Sequence, residues 1–164
     1  MGRRAVSGGA ANLAIEPLLD RLRVELEIPT SYGAETLAKA TAASERDFVT
    51  ASDGERTDHR DLPFVTLDPE GSRDLDQAFY LARTAEGGYD VYYAIADVAS
   101  FVDPGSALEL ETHQRALTYY GPDGRFGLHP PVLSEGAASL LPGVDRPAVV
   151  WRIGLTAEGV IEDD

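Results

Sequence analysis

The chain has 164 residues, 43% of them apolar, and a formal net charge of −14, from 28 Asp and Glu against 14 Lys and Arg. That length carries one domain with a core of its own, and with no cysteine there is neither a disulfide scaffold nor a thiolate metal site. No apolar run approaches the roughly 20 residues of a membrane span, no signal peptide follows Met1-Gly-Arg-Arg, and the acidity argues against a phosphate-binding surface, so a soluble cytoplasmic protein with no membrane partner is expected.

Residues 1–12 read as a flexible leader. A helix is expected from near Glu16 to about Glu27. Pro17 belongs in its first turn, Leu18, Leu19, Leu22 and Leu26 repeat at helical spacing, and Pro29 stops it. A second helix is expected from Ala34 to about Glu45. Residues 1–45 thus form a helical N-terminal arm, a cap or docking element. Residues 46–62 are mostly polar and read as a linker, with His59 as a surface histidine.

The most informative stretch follows. Phe64-Val65-Thr66-Leu67 leads in as a strand-like run, and Ala78-Phe79-Tyr80-Leu81 leads out. Between them Asp68, Asp74 and Asp76 fall within nine positions, with Glu70, Pro69, Gly71 and Ser72 among them. Proline and glycine break regular structure there, so the acids sit on a loop. Asp74 and Asp76 are two apart and point the same way in extended chain. Carboxylates crowded within about 4–6 Å repel unless a cation joins them. Oxygen donors suit a hard ion such as Mg²⁺, which takes one or two protein carboxylates and completes its shell with water and phosphate. The other reading is a solvated acidic loop, since Asp, Gly, Ser and Pro are ordinary loop residues.

Ala78–Arg83 and Tyr89–Ile95 are expected to form a hairpin across Thr84–Gly88. The second strand is apolar almost throughout, as a central strand is, and ends in Asp97. That acid either accepts local backbone N–H groups, the favoured reading, or faces the acidic loop. A helix should open at Asp103-Pro104, or one turn later at Ser106 with Glu109, and run to about Leu117. Arg115 near its end suits the helix dipole and is also a candidate for a phosphate contact. Tyr119 and Tyr120 follow, then a turn at Pro122-Asp-Gly124. Residues 130–140 are assigned to structure rather than to a site. Residues 147–156 and 160–163 read as a hairpin, with Trp151 and Ile153 on one face.

Five stretches in one order carry a resemblance. Asp68-Pro-Glu-Gly-Ser-Arg-Asp74-Leu-Asp76-Gln77-Ala, Ala94-Ile-Ala-Asp97-Val, Arg115-Ala-Leu-Thr-Tyr-Tyr120, Leu133-Ser134 through Ser139-Leu140, and Arg152 through Asp163 resemble the ribonuclease II / ribonuclease R family (the RNB catalytic domain) over roughly residues 61–164. The resemblance implies an α+β fold with a mixed, mainly antiparallel sheet and packed helices. It covers the N-terminal portion of such a domain, assigned here to 63–164. It implies a Mg²⁺-dependent hydrolytic exoribonuclease that degrades single-stranded RNA from the 3′ end and releases nucleoside 5′-monophosphates. Asp68, Asp74, Asp76 and Gln77 would be the metal donors, with Asp74 and Asp76 catalytic. Tyr120 and Arg115 would be the RNA contacts, Tyr120 by stacking on bases without reading sequence.

Gln77 departs from the pattern, because the motif usually has a fourth aspartate there. An amide oxygen ligates Mg²⁺ without charge. Gln77 therefore implies a weakened enzyme, a non-catalytic RNA-binding protein on the same fold, or a branch built around Gln. The family's domain also continues beyond this stretch, and its remainder is where further stacking, arginine contacts and basic surface are expected. An uncovered C-terminal hairpin implies oligomers or poor solubility. An acidic Ca²⁺-binding interaction domain ranks last, because the twelve-residue Ca²⁺ loop with a central glycine is missing.

Overall fold

The computed structural model describes residues 12–48 and 56–162. The leader over 1–11, part of the polar linker (49–55) and residues 163–164 lie outside the described residues. Two helices come first, α1 (Asn12–Glu25) and α2 (Ala34–Ser44). A hairpin of β1 (Gln77–Arg83) and β2 (Tyr89–Ala96) follows the acidic loop. Next come a 3₁₀ turn (Val98–Phe101), α3 (Ala107–Arg115) and a small hairpin of β3 (Tyr119–Gly121) and β4 (Gly124–Phe126). A π-helical turn (Leu133–Ala137) and β5 (Ala148–Leu155) complete the order.

The sheet is antiparallel in the order β1-β2-β5. The apolar run of β2 is central, as its composition implies. The hairpin turn uses Gly87 at φ 95°, a conformation open to glycine. Gly88 has a different reason: a Cβ there would stand 2.3 Å from the Leu155 carbonyl oxygen of β5. Register puts Ala78, Ala94 and Val150 on one face and Phe79, Tyr93 and Trp151 on the other. Ala78, Ala94 and Ala96 are buried, whereas Leu81, Val149 and Trp151 on the opposite face are exposed.

The core sits beside the sheet rather than on it. Ala40 and Ala43 of α2, Phe101, Leu108 of α3, Leu133 and Ala138 form one buried cluster. Small residues on α2 let it come close, and Phe48 adds an edge-to-face contact with Phe101 at 4.8 Å between centroids. The mixed α+β architecture is thus present, with α2 and α3 packed on one another and an antiparallel sheet β1-β2-β5.

Several local expectations change. α1 begins at Asn12, so Pro17 lies inside the helix and not in its first turn. The run at 64–67 makes only one bridge, Val65 to Phe79, because Pro63 and Pro69 close around it. Helix α3 is capped by Ser106, whose Oγ accepts from Glu109 N at 3.2 Å. Asp103 is instead held by Arg46 at 2.6 Å, and Gly105 at φ 75° interrupts the chain between them. Among the described residues no helix is long and apolar enough to cross a membrane.

Candidate active site

The acidic loop is held by its backbone. Gly71 at φ 88° turns the chain, and Ser72 N donates to the Pro69 carbonyl at 3.1 Å. Its second half is then fastened at four points. Buried Ser139 accepts from Leu75 N at 2.9 Å and donates to the Arg73 carbonyl at 2.6 Å. Leu140 N donates to the Leu75 carbonyl at 2.7 Å, and Ala96 N to the Asp76 carbonyl at 2.9 Å. The Leu75 side chain is buried. In extended chain, neighbours of a buried residue point the other way. Burying Leu75 therefore turns Asp74 and Asp76 outward together.

Asp68, Asp76 and Gln77 are exposed. Asp74 is half-buried and is bound by Arg125, whose Nη1 lies 2.5 Å from Asp74 Oδ2. The other prong of the same guanidinium reaches Glu135 Oε1 at 2.5 Å. Hydrogen bonds donated to Glu135 and Asp74, with desolvation opposing, hold the Arg125 pKa above its ordinary value. Among the described residues, no three Asp, Glu, His or Cys side chains come together as a metal cage. The four expected donors thus share one loop and strand start but do not converge.

Their chemistry still suits a hard divalent ion. All four offer oxygen, two outward carboxylates are enough for Mg²⁺, and Asp74 already holds a cationic group in Arg125.

The expected RNA contacts divide. Tyr120 on β3 is 75% exposed and free to stack. Arg115 is a correction: it is 1% exposed and faces no solvent. Its guanidinium donates to Glu111 Oε1 at 2.8 Å and the Pro29 carbonyl at 2.9 Å, and also to the Ser31 carbonyl. It stacks on Tyr32 at 3.9 Å from the ring centroid. Position near a helix end suggested exposure, but the chain between α1 and α2 folds over it. That segment is about 85 residues away in sequence, which local patterns cannot report.

Asp97 follows the favoured reading. It caps the 3₁₀ turn by accepting from Ser100 N at 3.3 Å, and it pairs with Arg56 at 3.0 Å. Burial pushes its carboxyl up, but the bonds from Ser100 and Arg56 prevail and hold it below the usual range. His59 is half-buried, edge-on to Tyr92 at 5.9 Å, rather than free at the surface. Arg125 and Glu135 went unnoticed in the sequence. No spacing links residues 51 positions apart across a hairpin and a loop.

The RNB domain family model matches residues 56–164. Ribonuclease R of Escherichia coli K12 is 40% identical over 104 residues, 63% of this chain and 13% of that protein. Ribonuclease R of Acidithiobacillus ferrooxidans is 35% identical over 163 residues, 96% of this chain and 37% of that protein. Exoribonuclease 2 of Proteus mirabilis is 37% identical over 66% of this chain and 17% of its own length. The chain therefore spans well under half the length of these relatives. Among solved structures, Mycoplasma genitalium RNase R in complex with double-stranded RNA aligns at a TM-score of 0.75 and 30% identity, over 90% of this chain and 26% of that one. The acidic loop, the sheet it feeds and the Tyr120 hairpin all fall inside the matched residues, and the chain belongs to the RNB domain family.

Proposed function

We propose that this chain is the N-terminal part of the catalytic domain of a Mg²⁺-dependent, hydrolytic 3′-to-5′ exoribonuclease, with residues 63–164 as the RNB portion and 1–45 as an arm joined by the 46–62 linker. Its substrate is single-stranded RNA and its products are nucleoside 5′-monophosphates, in a cytoplasmic setting. The observation that carries the reading is the outward pair Asp74 and Asp76, set by the buried Leu75 between them within the family's matched residues.

Asp68, Asp74, Asp76 and Gln77 are the residues that would hold Mg²⁺. When bound, the ion supplies charge neutralisation at the phosphate and a more acidic water. One of Asp74 and Asp76 would help orient the attacking water or take its proton. Tyr120 stacks on the terminal bases at about 1–3 kcal/mol per base. The hydrolysis places the water oxygen on phosphorus, and the leaving 3′ oxygen stays on the shortened RNA.

A second reading is an RNA-binding protein without turnover. Two observations favour it: the uncharged Gln77 and the capture of Asp74 by Arg125.

The discriminating experiment uses 5′-labelled single-stranded RNA with Mg²⁺ or EDTA on a denaturing gel. A ladder shortening from the 3′ end only with Mg²⁺ is the expected result, and Asp76→Asn abolishes it while RNA binding persists. Unchanged turnover in Asp76→Asn removes the catalytic assignment. RNA binding that survives EDTA without cleavage selects the second reading. Rescue by Gln77→Asp then assigns the defect to the missing charge.

A further inference from the structure

Among the described residues, Arg125 is the side chain that joins the acidic loop, the β3–β4 hairpin and the π-helical turn through charge. It lies on β4 directly across from Tyr120, so hairpin register places both side chains on one face. One prong holds Asp74 and the other holds Glu135, each at 2.5 Å. None of the three is deeply buried: side-chain exposure is 38% for Arg125, 38% for Asp74 and 30% for Glu135. Ion pairs this accessible are weak, because water screens the charges and competes for both partners. A guanidinium also cannot lose its proton to step aside, so it leaves Asp74 only by moving.

We propose that Arg125 is a tethered cation that occupies Asp74 in the metal-free protein and must be displaced before a divalent ion binds there. Resting on the metal-site reading above, this adds a competitor supplied by the chain itself. A carboxylate oxygen held by a guanidinium prong cannot at once give that lone pair to a metal. Glu135 is the alternative seat: once Asp74 turns to the ion, Arg125 keeps one anionic partner and stays beside Tyr120. The hairpin that presents Tyr120 is thereby coupled to the ionic state of the acidic loop. Gln77 makes the competition matter more, because an amide adds no charge to help draw the ion in.

The test measures binding without turnover. Free Mn²⁺, a hard ion of similar ligand preference, is titrated by electron paramagnetic resonance against the whole chain and its variants. Arg125→Gln is expected to bind Mn²⁺ up to about fivefold tighter, the fold-change that matches a pair worth roughly 1 kcal/mol. Arg73→Gln removes the same charge one residue from Asp74 without touching its carboxylate, and is expected to change affinity about twofold or less. An equal gain in Arg73→Gln overturns the proposal in favour of a general field effect. If Arg125→Gln binds like the unaltered chain while Asp76→Asn loses binding in both, the metal site stands and the competition is overturned. If none of them binds Mn²⁺ above the level of Asp76→Asn, the metal reading itself fails and takes the competition with it. Arg125→Lys keeps the charge but not the two-pronged geometry. It is expected to fall between, and it serves if the glutamine variant does not fold.

Discussion

Two arginines of this chain have the same kind of partner and opposite standing. Arg115 and Arg125 each hold a glutamate, Glu111 and Glu135 respectively. Arg115 is 1% exposed and also donates to the carbonyls of Pro29 and Ser31. Arg125 is about two-fifths exposed and bridges two carboxylates on separate elements. Removal from water turns the first into a fixed part of the fold, since an unpaired buried charge or carbonyl costs far more than a bond returns. Contact with water makes the second exchangeable. Charge identity does not separate a structural cation from a functional one; desolvation does.

The largest way to break this contrast is Arg115→Met. Glu111 then keeps a half-desolvated charge and the carbonyls at Pro29 and Ser31 lose their donor. A loss of about 3–5 kcal/mol is expected in chemical denaturation, together with loosening of α1 and α2 in amide hydrogen exchange. A loss below 1 kcal/mol would mean that water replaces the guanidinium and that the site is not closed.

Ser139→Ala comes next. It leaves Leu75 N without an acceptor and the Arg73 carbonyl without a donor, both at the acidic loop. The cost should be about 1–3 kcal/mol. The same variant should weaken Mn²⁺ binding, because the backbone that turns Asp74 and Asp76 outward relaxes. Intact binding in a destabilised protein would show that the loop needs no such support.

Arg125→Gln sits at the small end for stability. An exposed pair is worth about 0.2–1 kcal/mol, so its denaturation midpoint should barely move even as Mn²⁺ affinity rises. A loss as large as that of Arg115→Met would erase the distinction between the two arginines.

The subtlest effect is a slope with pH. Burial holds the His129 imidazole below its ordinary value of 6.5, and its carbonyl lies 2.7 Å from the Tyr32 hydroxyl beside Arg115. A depressed histidine pKa means the unfolded chain binds the extra proton first. Stability from this group is therefore full above pH 6.5 and declines as pH falls below it. His129→Gln should flatten the unfolding curve between about pH 5 and 6.5. An identical slope in the variant would assign the decline to the carboxylates.

How much of this was legible in the chain depends on distance along it. The β1–β2 hairpin was readable from two short apolar runs around a glycine turn, because strand composition and turn chemistry are local. α2 was readable from its composition, and Asp97 as a locally satisfied acid from its place at a strand end. The acidic loop was readable as a loop, and Asp74 and Asp76 as a co-directed pair, because alternation in extended chain needs no tertiary information. Both starts of α3 were readable, but the choice between them was not. Asp103 and Ser106 are both good caps, and Arg46, 57 residues away, decides between them by taking Asp103.

By itself, then, the sequence determined the main helices and the β1–β2 hairpin, the acidic motif with its uncharged Gln77, and membership in a family whose motifs stand in order. Only the tertiary structure decided which charges are spent. It closed the α1–α2 connection over Arg115, withdrawing an expected RNA contact, and it carried Arg125 across 51 residues onto Asp74. The physical reason is the same in both cases. A side chain's chemistry is written in its own residue, but its solvation and its partner belong to segments that meet it only after folding.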